Sequence, residues 1–543
     1  MAEQTPQGSK PDGGNPASVI GVLGAGTMGA GIAQLAARSG ATTLLHDPVA
    51  DALERGAERA VEGLHKEAAK GRLTPEQAQA AAERLEAVQS IEAFASCELV
   101  IEAAPERIEL KNEIYERLSQ VVSDECVLAS NTSSLPVTAI AAAATRPERV
   151  VGMHFFNPAP VMKLVEVIAG MRSEERALQL AMATGEAMGK TVIRATDGPG
   201  FLVNRCNRPF GLEALRLLSE RIADVPTIDR VVRLQGGFRM GPFELSDLVG
   251  VDTGFDVSKS FYELGFGEPR WRPSPIQARM VAAGLHGRKS GHGYYDYSGN
   301  GPHRPADEDT PKAGAPEDAE GLLVIAGTGV LAEELRNAAL GAGYEVSGPG
   351  ETQRELPALI IECDTSQTRG HSRGAPRILL CDRGSLATLD PGGPCVGFHV
   401  LPPFAQAGLV ELTRNEHSSP AATARAERFF GTLGKHVQWV GDAPGLVLGR
   451  IVCQVINESA FALGEGVGSA QDIDTGMTLG LNYPRGPLEW ADQIGLDNVL
   501  RVVEALSDEY REERYRPAPA LRRLVAAGRL GRTTGAGFFS YES

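Results

Sequence analysis

Residues 19–40 read VIGVLGAGTMGAGIAQLAARSG. An apolar segment, a turn containing Gly24, Gly26 and Gly29, and a helix-forming segment follow one another, which is the order of a strand, a tight turn and a helix. The glycines allow a sharp turn and bring the free amides at the start of the helix close to a bound phosphate. The stretch therefore predicts the first strand, turn and helix of a dinucleotide-binding domain.

An acidic residue closes the next strand candidate. Asp47 lies 23 residues after Gly24, where a carboxylate accepts hydrogen bonds from the adenosine ribose and repels the 2′-phosphate of NADP. We therefore predict NAD as the cofactor, held by Asp47 and by the residues of the turn: Gly24, Ala25, Gly26, Thr27, Met28 and Gly29. The alternative is a tight strand-to-helix turn that binds no ligand.

Further strand candidates alternate with helical segments. Residues 98–103 read ELVIEA and residues 126–130 read CVLAS, with the helical pattern of residues 106–120 between them. Such alternation predicts a parallel, doubly wound α/β domain of the Rossmann type. From about residue 199 to residue 290 the pattern is mostly helical, so an all-α domain is expected to follow.

The chain contains this arrangement twice. Residues 154–166 read HFFNPAPVMKLVE, and residues 399–411, which lie 245 positions later, read HVLPPFAQAGLVE. The same offset relates four further acidic pairs, namely Asp197 and Asp442, Asp229 and Asp474, Glu244 and Glu489, and Asp252 and Asp497. A constant offset over this many positions indicates an internal duplication.

The second copy is predicted to be degenerate. Residues 327–332 read GTGVLA, so that Ala332 stands where the first copy has Gly29, and the strand candidate that follows, YEVSGP, ends without an acid. From the turn to the glutamate of the later strand there are 78 residues in the first copy and 35 in the second. The second copy is therefore expected to lack a helix pair predicted at about residues 49–88, and to bind no cofactor.

These patterns predict six segments. Lobe one comprises the α/β and helical domains of the first copy, and lobe two those of the second. The predicted boundaries are a disordered tail at 1–18, the NAD-binding domain with its helix pair at 19–198, a helical domain at 199–297, a linker at 298–319, a degenerate Rossmann-like domain at 320–442 and a second helical domain at 443–543.

Composition excludes several classes of function. The net charge of -16 disfavours nucleic acid and anionic lipid as partners. No apolar run reaches the ~18 residues of a membrane-spanning helix, and the N-terminus lacks the pattern of a signal peptide. The seven cysteines are scattered, with no CxxC pair, so neither a disulfide framework nor a metal site is expected. A cytoplasmic protein fits these features best.

The repeated histidine and glutamate suggest proton transfer. A carboxylate on a neighbouring strand fixes the tautomer of a histidine and stabilises the imidazolium that forms when the ring accepts a proton. In a dinucleotide enzyme such a base takes the hydroxyl proton when an alcohol loses a hydride. The alternative for either histidine is a structural role at the end of a strand.

Three longer motifs in lobe one resemble a known family. ASNTSSL at 129–135, HFFNPAPVMKLVEV at 154–167 and DGPGFLVNR at 197–205 are similar to the NAD-dependent 3-hydroxyacyl-CoA dehydrogenase family, and the resemblance spans residues 19–297. It implies His154 as general base, Glu166 as its orienting partner, and Ser133 and Asn204 as the groups that hold the substrate oxygens. In lobe two, Gly384, Gly449 and Thr533 stand at the positions of Ser133, Asn204 and Lys289.

The resemblance also implies ligand contacts. Further cofactor contacts would be Glu106, Lys111, Asn157 and Lys289, and the helix pair would contact CoA through Lys70. Gly63 stands where some members of the family have a serine contact. The alternatives from the residues themselves are that Ser133 or Asn204 caps a helix and that Lys70 is a solvated surface charge.

The implied reaction is the reversible, NAD-dependent oxidation of (3S)-3-hydroxyacyl-CoA to 3-oxoacyl-CoA. The two-lobed members that the chain resembles act on 3-hydroxybutyryl-CoA or on 3-hydroxyadipyl-CoA, the latter in phenylacetate breakdown. The choice stays open because the sequence places no basic partner for a second carboxylate. Lobe two is expected to do no redox chemistry.

Two other functions remain open at this stage. One is a non-catalytic, structural NAD-binding protein on the same fold, and the other is the dehydrogenase component of a β-oxidation complex whose hydratase is a separate chain. Members of the family usually pair through their helical domains. We therefore predict an intrachain pseudo-dimer of residues 199–297 with 443–543, which leaves a homodimer open.

Overall fold

The computed structural model describes residues 14–314, 319–348, 356–365 and 374–541. The predicted tail lies outside the described residues as far as residue 13. Ala17 is buried, and Ser18 donates its backbone N–H to the Glu98 carboxylate at 2.7 Å. The last residues of the predicted tail are therefore packed against the first domain, because Glu98 provides an acceptor for them.

The first of two compact units consists of residues 1–203 and 466–481. It contains an eight-stranded sheet in the order β3-β2-β1-β4-β5-β6-β7-β8. The strands are β1 (Val19–Leu23), β2 (Thr42–His46), β3 (Leu85–Ala87), β4 (Leu99–Glu102), β5 (Val127–Ser130), β6 (Val150–Phe155), β7 (Leu164–Ala169) and β8 (Thr191–Thr196). Every pair is parallel except β6 with β7. This topology confirms the predicted Rossmann-type fold.

Six helices of lobe one accompany this sheet. They are α1 (Thr27–Ser39), α2 (Ala50–Ala69), α3 (Pro75–Glu83), α4 (Ile108–Val121), α5 (Val137–Ala141) and α6 (Glu175–Ala187). The pair α2 and α3 lies where the sequence predicts it, and a capping box between Thr74 and Gln77 fixes the start of α3. The apolar sides of β1, β4 and the neighbouring strands form the core with α1 and α6.

The second unit consists of residues 204–465 and 482–543. Its seven-stranded sheet has the order β10-β9-β11-β12-β13-β14-β15. The strands are β9 (Leu322–Ala326), β10 (Glu345–Ser347), β11 (Leu359–Glu362), β12 (Arg377–Leu380), β13 (Val396–His399), β14 (Leu409–Thr413) and β15 (His436–Trp439). The predicted loss of the helix pair falls between Ser347 and Leu359, where residues 349–355 lie outside the described residues.

The remaining helices belong to lobe two's α/β domain and to the two helical domains. Those of the α/β domain are α13 (Val330–Gly341), α14 (Leu386–Leu389) and α15 (Pro420–Thr432). Lobe one contributes α7 (Val203–Cys206), α8 (Arg208–Ser219), α9 (Val225–Leu234), α10 (Pro242–Val249), α11 (Val251–Leu264) and α12 (Pro275–Ala282). Lobe two contributes α16 (Leu448–Gly464), α17 (Ala470–Leu481), α18 (Pro487–Ile494), α19 (Leu496–Tyr510) and α20 (Pro519–Ala526).

One helix of each lobe packs against the sheet of the other lobe. In the first unit, α17 of lobe two packs against β7 and β8, and the N–H of Thr196 donates to the carbonyl of Val467 at 2.9 Å. In the second unit, α9 of lobe one packs against β14, and the N–H of Gly408 donates to the carbonyl of Leu234 at 2.8 Å. The two lobes are therefore not separate folding blocks along the sequence.

Within the second unit, the segment of α7 and α8 in lobe one and that of α16 in lobe two form matching ion pairs. Arg205 contacts Glu458 at 2.9 Å and Glu465 at 2.7 Å. Arg450 contacts the counterparts of those two acids, Glu213 at 2.9 Å and Glu220 at 2.6 Å. Such reciprocity is the property of a contact related by a twofold axis.

The predicted linker is ordered where it is described, to residue 314. It has no strand or long helix, but its charged side chains pair with buried ones of the second unit. Arg304 contacts Glu244 at 3.0 Å, and Asp307 contacts Arg233 at 2.9 Å. The segment is predicted as a linker because it is rich in proline, glycine and acid with little to bury, and its charged side chains hold the described part against the second unit.

Two composition-based expectations concern membranes and cysteines. Among the described residues, no helix is long and apolar enough to cross a membrane. All seven cysteines are buried, and none forms a disulfide.

Candidate active site

The glycine turn is shaped so that only glycine fits at two of its three positions. Gly24 has a φ of 101°, and a Cβ there would lie 2.7 Å from the carbonyl oxygen of Ala103. A Cβ on Gly29 would overlap the carbonyl oxygen of Gly24. At Gly26, the residue before α1, a Cβ would meet nothing within 4 Å, and no side chain caps the helix. The start of α1 is thus open to an anion, as a dinucleotide pyrophosphate requires.

Asp47 lies beside this turn, as the sequence predicts. Its Oδ2 accepts the N–H of Ala25 at 2.8 Å, and its Oδ1 accepts the N–H of Val49 at 3.0 Å. Each carboxylate oxygen has a second lone pair. The half-buried carboxylate can therefore keep the turn in place and also accept hydrogen bonds from ribose hydroxyls.

His154 and Glu166 form a buried hydrogen-bonded pair. They are directly opposite each other on the antiparallel strands β6 and β7, and Nδ1 lies 2.7 Å from Oε2. The side chain of His154 is 8% exposed and that of Glu166 is 0% exposed. The pairing assigns the proton of the neutral ring to Nδ1, and no described residue bonds Nε2. Nε2 is thereby available as a proton acceptor.

The other oxygen of Glu166 is also fixed. Oε1 accepts the N–H groups of Leu202 at 3.2 Å and Val203 at 3.0 Å. These amides are directed at the carboxylate because Phe201, one residue earlier, has a positive φ of 52°. The carboxylate is consequently held from both sides, which restricts the orientation of the imidazole.

Several residues around His154 do not stand out in the sequence. The ring centroids of Phe156 and Phe201 lie 4.7 and 5.9 Å from that of His154. Asn131 accepts the N–H of Phe155 at 2.8 Å through its Oδ1 and so ties the end of β5 to β6. Phe201 and Asn131 do occur inside the motifs that carry the family resemblance, but neither residue type indicates such a role by itself.

Ser133 lies on a turn that Glu106 holds. Oε1 of Glu106 accepts the Thr132 hydroxyl at 2.6 Å and the N–H groups of Ser133 at 2.8 Å and Ser134 at 3.0 Å. Burial raises the pKa of Glu106, but the Thr132 hydrogen bond and the charge of Lys111 outweigh it and keep the pKa below its ordinary value. An ionised Glu106 therefore orders the turn, and its part as a direct cofactor contact stays a prediction.

Lys111 is buried rather than presented to a ligand. Its side chain is 1% exposed, and its ammonium lies 2.6 Å from Glu102 and 3.5 Å from Glu106. Glu102 also accepts the hydroxyl of Ser130 at 2.7 Å. Lys111 thus connects the end of β4 with the Glu106 turn, and a direct contact with the cofactor stays a prediction.

Three further predicted residues lie apart from this network in the first unit. Lys70 is exposed at the end of α2, and Asn157 is exposed before a cis peptide bond to Pro158. Gly63 on α2 packs so closely on Gln34 that a Cβ would overlap its amide. A serine at this position would require the amide of Gln34 to move.

Asn204 and Lys289 belong to the second unit. Asn204 lies in α7 and follows Val203, whose N–H bonds Glu166, along the chain. The ammonium of Lys289 is half exposed and contacts Asp252 at 2.6 Å. The roles of both residues stay predictions.

The equivalent pair in lobe two is uncoupled. His399 and Glu411 are cross-strand partners, but Nδ1 of His399 is buried and has no hydrogen bond to any residue that the structure describes. Burial lowers the pKa of His399 to about 4. Burial raises the pKa of Glu411 to about 8, although hydrogen bonds from Leu448, Val447 and Gln235 lower it. Neither side chain is charged at neutral pH, so this pair lacks the electrostatic coupling of the first.

The fold and the site define a class. A doubly wound dinucleotide domain, an acid beside its glycine turn and a histidine oriented by a buried carboxylate are together the features of an NAD-dependent dehydrogenase. Among the described residues, no group of three or more histidine, cysteine and acidic side chains is placed to hold a metal ion.

Comparison with family models specifies this class further. Residues 19–198 match the model for the 3-hydroxyacyl-CoA dehydrogenase NAD binding domain. Residues 200–297 and 445–541 each match the model for the C-terminal domain of the same enzymes. The chain belongs to the 3-hydroxyacyl-CoA dehydrogenase family. The two matches to the C-terminal domain also agree with the internal duplication.

Individual relatives include proteins with one lobe and with two. A 3-hydroxyadipyl-CoA dehydrogenase of Escherichia coli K12 is 38% identical over 93% of this chain and 96% of its own length. A probable 3-hydroxybutyryl-CoA dehydrogenase of Deinococcus radiodurans is 42% identical, covering 51% of this chain and 99% of its own. The crystal structure of an E. coli K12 3-hydroxybutyryl-CoA dehydrogenase is similar with a TM-score of 0.79 and 35% identity, covering 94% of this chain and 99% of its own.

Proposed function

We propose that the chain oxidises (3S)-3-hydroxyacyl-CoA thioesters to 3-oxoacyl-CoA, reversibly, at a site in lobe one. The observation that carries this proposal is the pair of His154 and Glu166 in the NAD-binding domain, with Nδ1 of the ring bonded and Nε2 free. Membership of the family supports the thioester as the substrate class.

Each residue has a part in this reaction. The glycine turn and Asp47 would hold NAD, which would supply the acceptor for the hydride from C3 of the substrate. Nε2 of His154 takes the proton of the C3 hydroxyl, and Glu166 stabilises the resulting imidazolium. Ser133 and Asn204 donate hydrogen bonds to the substrate oxygens, which gain or lose charge during the reaction. Asp47 selects NAD by accepting hydrogen bonds from the ribose hydroxyls. Glu106 orders the turn that carries Ser133.

The proposed acyl group is a short or a dicarboxylic one, 3-hydroxybutyryl or 3-hydroxyadipyl. Of the two E. coli relatives that cover more than nine tenths of this chain, one is named for the dicarboxylic group and one for the short group. The proposed place of the reaction is the breakdown of fatty acids or of phenylacetate, in the cytoplasm. The exposed Lys70 at the end of α2 is the proposed contact for CoA phosphates.

Lobe two is proposed to act as a structural partner without redox activity. The neutral, uncoupled pair of His399 and Glu411 supports this role. The reciprocal ion pairs of Arg205 and Arg450 support an intrachain pseudo-dimer of the two helical domains. Whether two chains associate further is a separate question that sedimentation would answer.

A structural NAD-binding protein on the same fold is the competing function. The assay that separates the two is the reduction of acetoacetyl-CoA by NADH, followed by the loss of NADH absorbance, with NADPH in parallel. Turnover with NADH supports the enzyme. Binding of NADH without turnover of acetoacetyl-CoA or of a six-carbon 3-oxoacyl-CoA would favour the structural protein.

A further inference from the structure

Arg208, the first residue of α8, has no acidic partner among the described residues. Its Nη1 donates to the Ser258 hydroxyl at 3.2 Å, its Nε donates to the Asn204 carbonyl at 3.4 Å, and its guanidinium lies 4.9 Å from the centre of the Phe261 ring. All of these partners are neutral. Burial lowers the pKa of Arg208 to about 10, so the half-buried guanidinium is still charged at neutral pH. A partly desolvated charge without a counterion is unfavourable, which indicates an anionic ligand.

Arg208 also lines a cavity of the second unit. The cavity has a volume of about 130 Å³, and Ser258 and Gln277 also line it. Gln277 is 7% exposed, and its Oε1 has no hydrogen-bond partner. Rotation of this amide exchanges its oxygen and nitrogen, so that Nε2 can donate at the same place. Phe210, Leu215, Val249 and other apolar side chains complete the lining. A small anion on a short aliphatic stem suits such a cavity.

We infer that Arg208, with Ser258, forms a subsite for the terminal carboxylate of a dicarboxylic 3-hydroxyacyl-CoA. The inference rests on the proposed function and makes it specific for a six-carbon dicarboxylic substrate. A planar guanidinium binds a carboxylate through two parallel hydrogen bonds, which a neutral acyl end cannot provide. The subsite therefore distinguishes 3-hydroxyadipyl-CoA from a substrate with a methyl group at the same position.

The spacing along the chain agrees with the length of that substrate. Asn207, between α7 and α8, has helical dihedral angles, so Arg208 follows the proposed oxygen-holding Asn204 by about one helical turn. One turn corresponds to a rise of about 6 Å over four residues. In 3-hydroxyadipyl-CoA, three carbon–carbon bonds separate C3 from the terminal carboxyl carbon, roughly 4 Å when extended. The hydrogen bonds at each end account for the remaining distance.

The duplication gives independent support. Cys453 is the residue 245 positions after Arg208, and it lines a cavity of about 440 Å³ in lobe two together with His399, the counterpart of His154. Arg208 is therefore the counterpart of Cys453, which lines the same lobe-two cavity as His399. The catalytic lobe has a cation at this position, whereas the degenerate lobe has a neutral thiol.

The test compares two substrates of equal chain length. Steady-state kcat/KM would be measured for 3-hydroxyadipyl-CoA and 3-hydroxyhexanoyl-CoA, which differ in a terminal carboxylate against a methyl group. Wild type is expected to prefer the adipyl ester by at least ~10-fold, and Arg208→Met to lose roughly 30- to 100-fold on that ester alone. Arg208→Lys keeps the charge without the bidentate geometry and is expected to lie between them.

Arg239→Met is the matched control, because Arg239 is exposed in the same unit and its loss changes the net charge equally. In this variant, kcat/KM for each of the two esters should stay within ~2-fold of the wild-type value. Equal losses on both esters in Arg208→Met, or no loss on either, would overturn the subsite. If wild type turns over neither ester, the proposed function itself is wrong. Full activity of wild type with the hexanoyl ester and none with the adipyl ester would overturn only the subsite.

Discussion

The imidazole of His399 lies against the backbone of Gly449, where a side chain would overlap the ring. Gly449 is the counterpart of Asn204, so the loss of the amide side chain in lobe two leaves room for the histidine to turn toward the helix. In this position Nδ1 of His399 has no hydrogen bond among the described residues. Glu411 instead accepts hydrogen bonds from backbone amides and from Gln235. One substitution at this position thus accompanies the uncoupling of the second pair.

We expect the two histidines to differ sharply on mutation. His154→Ala should lower kcat by about 100-fold or more, since the general base is lost. His399→Ala should leave kcat within ~2-fold, because its ring is neutral at the assay pH and its Nδ1 has no hydrogen bond among the described residues. Steady-state rates with the preferred 3-hydroxyacyl-CoA check this, with thermal unfolding as the control for folding. Similar losses in the two variants would contradict the assignment of catalysis to lobe one.

The buried Glu411 should make the stability of the chain depend on pH. Burial raises its pKa to about 8 from an ordinary value of 4.5. The folded state therefore holds a proton that the unfolded state releases, so this contribution to stability is full below pH 4.5 and decreases as the pH rises toward 8.

Glu411→Gln removes that dependence. The free energy of unfolding of the variant, relative to wild type, should increase by about 3 kcal/mol between pH 5.5 and pH 8.5. Denaturant unfolding at the two pH values measures the change. A difference between variant and wild type that is constant with pH would mean that Glu411 is ionised in the folded state.

Asp47 should determine the choice of cofactor. In Asp47→Ser, the ribose hydroxyls lose a charged acceptor and the 2′-phosphate of NADP is no longer repelled. We expect KM for NAD to rise by about 10-fold or more and the preference for NAD over NADP to fall by a larger factor. Initial rates with both cofactors provide the measurement. Because Asp47 also holds Ala25, Asp47→Asn serves as the comparison that keeps an acceptor for that N–H.

The contact of α17 with the first sheet should be required for activity. A Cβ on Gly476 would lie 2.7 Å from Val203 and 2.9 Å from Ile193, and Val203 donates to Glu166. Gly476→Leu should therefore destabilise the chain by about 1–3 kcal/mol and lower kcat/KM by misplacing the carboxylate that orients His154. The unfolding midpoint and the kinetics would be measured together.

Gly431→Ala is the matched control for this experiment. Gly431 lies in helix α15, and a Cβ there would meet nothing within 4 Å. The variant should be as stable as wild type or up to ~1 kcal/mol more stable, with unchanged kinetics. Unchanged stability and rates in Gly476→Leu would show that α17 does not support the site.

Local patterns in the sequence predicted much of the fold and of the candidate site. The glycine turn and Asp47 are close in sequence, and their spacing already determines that they meet at the end of a strand. The thirteen residues from His154 to Glu166 include the end of β6, the connection and the beginning of β7, so their pairing also depends on a short segment. For the same reason the repetition of these segments disclosed the duplication.

Other features could not be read from such patterns. Arg208 has the sequence context of an ordinary helix start, and only its neutral surroundings distinguish it from Arg205, which has two acidic partners. Likewise, the buried position of Lys111 between two glutamates is not evident in an amphipathic helix.

The sequence alone thus determined the Rossmann-type fold, the duplication, the family and the oriented histidine, because each depends on residues that are near one another along the chain or on a motif that spans them. Only the tertiary structure decided which histidine keeps its carboxylate, which arginine lacks one, and that α9 and α17 pack on the sheet of the other lobe. These outcomes depend on contacts between residues far apart in sequence, where packing and burial decide the partners.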